Sequence, residues 1–448
     1  MRKLRLSALA VVLISLLPAA LGQQATRKSV AGLIYELKHP DADVRKQAAS
    51  LIGQNQIREA VPALVEATED TNESVRLEVV KALVRINDVM AIPPFIRLTK
   101  DPSKSIQEKS VEGLVNIYIF EEGGFIRGVQ KVADFVNPWS DDYNSLVVEP
   151  YLPVKTEVIT ALSDLLKVDD ADLRKKAATG LGILRADSAL PAITEALARE
   201  NSDGVKVELI RALYKIGDRE AAKAVIPFIR DSDKSVHDEA IFTTGRLRVK
   251  EALPDIKELY ESGVQERKKV LGIVPITGRD DLAKKLFEAL SYLGDPSCQE
   301  LFRTALDDER TFYRRYAAEG FARIGDKEQT SLIATRYLKE PDEEVKLAFG
   351  FALFRLGREE HLVELANNGQ QGYEYLMELE PSEIPKLYGL VATEKDPAKI
   401  RLLDVIGLRG DASALPVVEQ YMKHSNAEVG SAANLAVRRL RGRHEPTS

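Results

Sequence analysis

The side chains that most often perform chemistry are few and scattered in this 448-residue sequence. No two of its five histidines form a His-x-x-x-His pair, and there is only one cysteine, Cys298. Histidine or cysteine pairs at short, regular spacings are the usual zinc ligands on helices and loops. Cys298 falls in an apolar helical stretch, which is typical of a small buried residue. The sequence therefore predicts neither a metal site nor a catalytic residue; the histidines are His39, His237, His361, His424 and His444.

Carboxylates and glycines also lack the spacing of an active site. The adjacent pairs Asp280-Asp281 and Asp307-Asp308 stand in predicted turns, where helix capping accounts for them. The glycines of TGLGIL (179–184) lie inside a helical pattern, so they do not form a phosphate-binding loop, and no G-x-S-x-G turn is present. The prediction is a protein that is not an enzyme and that binds no cofactor.

The elements that carry these residues repeat along the chain. In NESVRLEVVKALVRI (72–86), Val75 is position zero, and apolar residues follow at +4, +5, +7, +8 and +11. This spacing predicts one apolar face of an α-helix. Seven of the ten gaps between successive copies are 31 or 32 residues, which indicates an internal repeat. The eleven zero positions are Val44, Val75, Ile106, Leu173, Val205, Val236, Leu282, Tyr313, Val345, Ala398 and Val429.

A second, shorter helix is predicted after each long one. Several long helices end in Gly-Asp, as at Gly217-Asp218, where glycine can adopt the left-handed conformation that stops a helix. Apolar segments with an early proline follow, for example SALPAITEALA (188–198). Polar turns such as HPDAD (39–43) then offer caps for the next long helix. One pair of about 31 residues cannot bury its own apolar face, so stacked pairs must share a core.

This pattern resembles HEAT repeats. The D-x-x-x-x-V-R-x-x-A-A-x-x-L-x-x-I-G-D style and the A-x-P-x-L partner helix are similar to the short repeats shared with the phycobilin-lyase HEAT-like group, over about residues 30–442. The resemblance implies an all-α fold, a right-handed α-α superhelix (solenoid) of about eleven helix pairs. It also implies a ladder in which basic residues at +1, such as Arg76, meet acidic residues at −5 of the next repeat, such as Asp101.

Two features are candidates for binding a partner. Position +10 is basic in six of the eleven copies and lies beside the apolar face. Two interpretations remain open: these cations cap their own helix ends, or they attract an acidic protein or polysaccharide. The second feature is the Gly-rich, aromatic insertion 119–153, which is either a binding loop or a degenerate repeat; GYEYLMELE (372–380) is a further candidate. The predicted partner-binding residues are Arg85, Lys215, Arg246, Arg323, Arg355, Arg439, Trp139 and Tyr143.

The N-terminus has the pattern of a secretory signal peptide. Three basic residues precede an apolar run from Leu6 to Leu21, and Ala20-Leu-Gly22 supplies small residues for cleavage. An uncleaved membrane anchor is the alternative. Removing residues 1–22 leaves a net charge of −9, which disfavours a nucleic-acid binder. The predicted domains are a signal peptide (1–22), N-terminal repeats (23–118), the insertion (119–153) and C-terminal repeats (154–448), irregular near 248–281 and 361–397.

Together these observations predict an exported, periplasmic or extracellular scaffold that binds a protein partner and no membrane after cleavage. Two alternatives remain: a lyase-like or ligand-handling protein that uses residues 119–153, and a membrane-anchored structural protein of the cell envelope.

Overall fold

A computed structural model describes residues 29–119, 146–270 and 277–442, with the side chains of residues 264–279 left aside. The chain forms two compact units, residues 1–113 and 114–448. In the described ranges every regular element is helical and none is a strand. The predicted all-α fold is therefore confirmed, while the handedness of the solenoid stays a prediction.

The first unit is built from long helices that alternate with short ones. Each short helix α3 and α5 follows a single 3-10 turn, Arg58–Ala60 or Val89–Ala91. Proline stands in the first turn of both, where its missing N–H leaves no hydrogen bond unmade. The last helix, α6, extends past the boundary between the units. The helices are α1 Val30–Glu36, α2 Ala42–Gln54, α3 Val61–Ala67, α4 Glu73–Ile86, α5 Ile92–Leu98 and α6 Lys104–Ile119.

The second unit repeats this alternation. In one pair the short element is a 3-10 helix, Ala221–Arg230, which has a proline in its interior. The α-helices are α7 Thr156–Leu165, α8 Ala171–Ile183, α9 Leu190–Arg199, α10 Asp203–Ile216, α11 Lys234–Arg246, α12 Leu253–Val270, α13 Thr277–Leu293, α14 Gln299–Ala305, α15 Thr311–Ile324, α16 Thr330–Lys339, α17 Glu343–Arg355, α18 Leu362–Asn367, α19 Gly369–Leu376, α20 Tyr388–Thr393, α21 Asp396–Arg409, α22 Leu415–Glu419 and α23 Ala427–Gly442.

The repeat register places the core as predicted. All eleven zero positions lie in long helices, and the residues at +8 are buried in every copy. Burial of these side chains between stacked pairs supplies most of the stabilisation that a single pair lacks. The +8 residues are Ile52, Leu83, Leu114, Leu181, Leu213, Thr244, Leu290, Phe321, Leu353, Ile406 and Val437.

The predicted helix ends are also confirmed. Asn72 and Asp233 accept hydrogen bonds from the backbone N–H groups two and three residues later, as caps do. Gly217, Gly294 and Gly325 follow their helices with φ of 86°, 57° and 73°, a region that glycine enters without steric cost.

Glycine at +9 has a role that the register alone did not reveal. A Cβ built on Gly182 would lie 2.9 Å from the Cα of Ala212, at +7 of the next copy. The pair Gly407 and Ala436 has the same relation, with a separation of 2.7 Å. Neighbouring long helices therefore approach backbone to backbone at these points, and no side chain fits between them.

The irregular segments are part of the second unit. Residues 361–397 hold α18, α19, a 3-10 helix at Pro381–Leu387 and α20, all of them short. Within the predicted insertion, residues 146–153 are described: Val148 and Glu149 are buried, and the Val148 N–H donates to the Ile183 carbonyl at 2.8 Å. The domain limits proposed at residues 118 and 153 stay predictions.

Candidate partner-binding face

The basic residues at +1 join neighbouring repeats, as the resemblance implied. Arg76 donates to both carboxylate oxygens of Asp101, at 2.9 and 3.1 Å, and also to the carbonyl of Asp70. Arg45 binds the Asp70 carboxylate in the same way, and these hydrogen bonds hold the pKa of Asp70 below its usual value. In the second unit the pairs are Arg174–Glu200, Lys206–Asp231 and Arg314–Glu340. The basic residues at +1 therefore hold neighbouring repeats together.

The basic residues at +10 differ from one another in exposure and in partners. Arg85, in the first unit, is exposed and lies 3.8 Å from Glu78. In the second unit Arg355 pairs with Glu383 at 2.6 Å. The side chains of Arg323 and Arg439 are buried, and each is only 2% exposed. The six residues thus do not form one uniformly exposed stripe, and their role in partner binding stays a prediction. Trp139 and Tyr143 lie outside the described residues.

Arg439 is buried by a segment from far along the chain. Its Nε and Nη2 donate to the two carboxylate oxygens of Glu149, both at 2.7 Å, and its Nη1 pairs with Asp404. The neighbouring Val148 donates a backbone hydrogen bond to Ile183 of α8, so residues 148–149 contact both α8 and α23. The segment 146–149, defined here as the strap, therefore covers the +10 end of α23.

Arg323 is covered in a related way by α19 and the residues that follow it. It donates to Glu378 at 2.7 and 3.0 Å, and Arg248 pairs with the same carboxylate. Tyr375 stacks on Phe351 with ring centroids 4.3 Å apart, and its hydroxyl donates to Glu319 at 2.7 Å. Burial among these groups raises the pKa of Tyr375. The segment 372–380, predicted as a contact candidate, thus contacts the chain's own repeats.

In the second unit, positions +6 and +10 of the long helices therefore define one face, the long-helix face. In the second unit the strap lies on its α23 part, and α19 with Glu378 lies on its α15 and α17 part. The α10, α11 and α13 part carries Lys215, Phe242 and Arg246. Phe242 is one of the few large apolar side chains exposed among the described residues, at 38%.

The cations of this part are held differently from Arg323 and Arg439. Lys215 makes no hydrogen bond or ion pair within the described residues, and burial lowers its pKa to about 8. Arg246 reaches Glu288 at 3.4 Å, and its guanidinium lies 4.1 Å from the Tyr292 ring centroid and 5.4 Å from that of Phe242. Its Nε is buried without an acceptor among the described residues, so this atom can still donate a hydrogen bond.

No assembled catalytic site is present among the described residues. No group of three or more His, Cys, Asp or Glu residues there could hold a metal ion. Cys298 is buried, and its burial raises the pKa of the thiol, which disfavours the reactive thiolate. In the described helices no segment is long and apolar enough to cross a membrane.

Comparison with known proteins agrees with the repeat architecture. The family model for HEAT repeats matches residues 30–115 and 190–271. A curated relative, the bilin biosynthesis protein PecE of Mastigocladus laminosus, is 35% identical over 91 residues. That match spans 20% of this chain and 34% of the relative, so only about a third of the relative's length is represented.

Two solved structures are also similar. The crystal structure of an engineered protein is 18% identical and matches with a TM-score of 0.42, covering 91% of this chain and 98% of that chain. The complex of CpcE and CpcF of phycocyanin lyase from Nostoc sp. is 13% identical with a TM-score of 0.31, covering 75% of this chain and 97% of that chain. Similarity at this level carries no argument about function.

Proposed function

We propose that this chain of HEAT repeats is an exported, non-catalytic scaffold that binds a protein partner through the long-helix face of its second unit. The observation that supports the proposal is the position of two segments, the strap and α19. Both are non-repeat segments of the chain, and both lie on this face through arginine–carboxylate pairs. The face already binds polypeptide within the molecule, so its α10, α11 and α13 part is suited to bind polypeptide from another one.

The contacts made by these two segments are of the kind that anchors interfaces. Arg439 and Glu149 form a bidentate, desolvated pair, and Tyr375 combines ring stacking with a buried hydroxyl hydrogen bond. Arginine and tyrosine in such settings dominate binding energy in many complexes. These two contacts within one unit support the proposal that the long-helix face is suited to peptide recognition.

A lyase-like function is the second candidate, and it rests on the similarity to the bilin biosynthesis protein. The matched 91 residues correspond to about three repeats of 31 residues. Such a match is what shared repeats alone would produce, and it brings no separate site with it. Absorbance of the protein purified from its native host distinguishes the two candidates, because a bound bilin is coloured and a scaffold is not.

Export is the remaining part of the proposal. It is supported by the charged, apolar and small-residue order of residues 1–22. Intact-mass measurement on protein from the native host should give a chain that begins near Gln23. A chain that retains Met1 and stays with the membrane fraction would instead support the anchored alternative.

Partner binding is tested by capture from the periplasmic or extracellular fraction. The expected result is one protein whose capture saturates, and which binds again when both proteins are purified and titrated. Recovery of only non-saturable background would contradict the scaffold. The matched control is Leu213→Asp, which buries an unpaired charge in the core of α10 and should abolish capture by unfolding that region.

A further inference from the structure

We infer that the part of the long-helix face formed by Lys215, Phe242 and Arg246, named here the open patch, binds an acidic segment of the partner that also carries an aromatic side chain. This inference rests on the proposed function and specifies where the partner binds and what its chemistry is. It follows from a comparison of the occupied and the open parts of the same face.

The occupied part shows which groups this face accepts. Glu378 places one carboxylate between Arg323 and Arg248, and Glu149 places one on Arg439. Three residues before Glu378, Tyr375 supplies an aromatic ring that stacks on Phe351. Each covering segment therefore brings a carboxylate to a +10 arginine, and α19 adds a tyrosine to an aromatic residue at +6.

The open patch offers the same pair of features, and no covering segment among the described residues places a carboxylate on it. Phe242 is the +6 residue of α11, exposed at 38%, and its ring meets Tyr214 edge-on with centroids 5.0 Å apart. Arg246 is the +10 residue of the same helix, and its buried Nε lacks an acceptor. Lys215 is the +10 residue of α10 and has no ion pair in the described chain. Among the described residues the missing component is an acceptor for the Arg246 Nε, and a carboxylate can supply it.

The neighbouring carboxylates attract the cations of the patch but leave one donor without an acceptor. Glu208 and Glu239 both pair with Arg211, at 2.8 and 3.0 Å, and both also attract the Lys215 ammonium. Glu288 approaches Arg246 at 3.4 Å but leaves its Nε unbonded within the described residues. A ligand carboxylate can accept a hydrogen bond from this Nε, whereas an ammonium cannot, which favours an acidic ligand over a basic one.

Burial strengthens the case for a charged ligand. Burial removes water from the Lys215 ammonium, and its lowered pKa shows that the attraction of Glu208 and Glu239 does not offset this cost. A carboxylate from a partner would lower this cost and would complete the hydrogen bonding of Arg246. An aromatic side chain would at the same time cover the exposed ring of Phe242.

The probe for this inference is the nonapeptide GYEYLMELE, which copies residues 372–380 of the chain and carries three glutamates. With a fluorescein label, its anisotropy is measured on titration with the full chain at low salt. Saturable binding is expected, and it should weaken as salt rises because the contacts are ionic. A peptide with all three glutamates changed to glutamine should bind at least about tenfold more weakly.

The variant that tests the location is Lys215→Gln with Arg246→Gln, which should reduce peptide affinity by at least about tenfold. Its matched control is Lys339→Gln with Lys423→Gln, which removes the same charge from exposed positions that have no ion pair in the described chain. The control should bind like the natural chain. Circular dichroism and melting curves establish that both variants fold. Phe242→Ser provides a second variant in which no charge changes, and it should also weaken binding.

Equal binding of the neutral peptide, or unchanged binding by the Lys215→Gln, Arg246→Gln variant, would overturn the inference. The inference would also be overturned if a second copy of the chain or one of its own segments occupied the open patch. A dimer that this variant abolishes would identify a second copy on the patch. Peptide uptake only after deletion of residues 120–145 would identify the chain's own segment.

The inference and the proposed function fail in different ways. If the captured protein partner binds the double variant as tightly as the natural chain, the scaffold function stands and the open patch is wrong. If no protein partner is captured at all, the scaffold function itself is contradicted.

Discussion

Arg439 and Glu149 are 290 positions apart in the chain, yet they form a bidentate ion pair with both N–O distances at 2.7 Å. Both side chains are only 2% exposed. This pair connects the strap, which precedes α7, to the last helix, α23. The repeat register alone carries no information about such a contact, because it describes only neighbouring repeats.

Removing one member of this pair should destabilise the second unit strongly. Glu149→Ala would leave the Arg439 guanidinium buried with Asp404 as its one remaining acidic partner, and we expect a loss of about 3–5 kcal/mol in the free energy of unfolding. Urea unfolding of the full chain measures this loss, and hydrogen exchange should show reduced protection in α23.

The control for that change is Arg441→Ala on α23, the helix that also carries Arg439; it breaks a pair between Arg441 and Glu419 of α22. Its side chains are 59% and 41% exposed, so the loss should stay below about 1 kcal/mol. If the two variants had equal effects, the strap would not anchor α23.

The ladder at +1 should depend on the geometry of arginine as well as on its charge. Arg174 donates to both carboxylate oxygens of Glu200 and to the carbonyls of Val168 and Asp169. Lysine keeps the charge but cannot span these acceptors, so Arg174→Lys should cost about 1–3 kcal/mol in a urea unfolding experiment.

Arg199→Lys is the matched change at an exposed pair with Glu195, where side-chain exposures are 48% and 61%. It should alter stability by less than about 0.5 kcal/mol. A loss at Arg174 no larger than that at Arg199 would show that the ladder does not join the repeats.

Close packing at +9 predicts a large effect of a single methyl group. In Gly182→Ala the new Cβ would lie 2.9 Å from the Ala212 Cα, so α8 and α10 must separate. We expect a cost of about 1–3 kcal/mol from overpacking, although alanine is the better helix former. Gly204→Ala, where nothing lies within 4 Å, should be neutral or slightly stabilising. Thermal melts of both variants test this, and similar shifts would contradict it.

Lys215 should reduce stability at neutral pH. Its pKa is lowered to about 8 in the fold, whereas that of an unfolded lysine is about 10.4. Between these values the unfolded chain binds more protons, so stability should rise with pH across that window. At pH 7 the cost is present in full, and Lys215→Met should raise the free energy of unfolding by about 1–3 kcal/mol.

The difference between Lys215→Met and the natural chain should shrink as pH rises from about 8 to about 10.4. Urea unfolding at pH 7, 9 and 10.5 measures it. Lys339→Met, at an exposed position, should show no such trend. A Lys215→Met variant that is less stable at pH 7 would show that the buried ammonium is not a cost to the fold.

Local features of the fold could be predicted from the sequence because they repeat. The burial of +8, the caps at Asn72 and Asp233, and the pairing of Arg76 with Asp101 each depend on one repeat and its neighbour. Because the repeats are spaced by 31 or 32 residues, a buried position, a cap or an ion pair identified in one repeat can be located in the others. Even the close packing of Gly182 on Ala212 follows the register, although glycine alone does not indicate it.

The candidate site could be predicted only in part. Position +10 was identified as basic, but the burial of Arg323 and Arg439 depends on Glu378 and Glu149, which lie in segments that break the repeat. Where the period is lost, sequence spacing no longer says which helix a segment contacts. The exposed Phe242 was missed for a related reason, because +6 is apolar in α11 and α17 but polar in most other copies.

Site-specific photocrosslinking in the native host measures whether the open patch contacts a protein partner. A benzophenone amino acid replaces Phe242, which is 38% exposed, or Val363, a control residue in the second unit that is 43% exposed. We predict one discrete crosslinked protein species from position 242 and none of that mass from position 363. Absence of a crosslink at position 242, or the same crosslinked species from both positions, would show that the open patch does not bind a partner specifically.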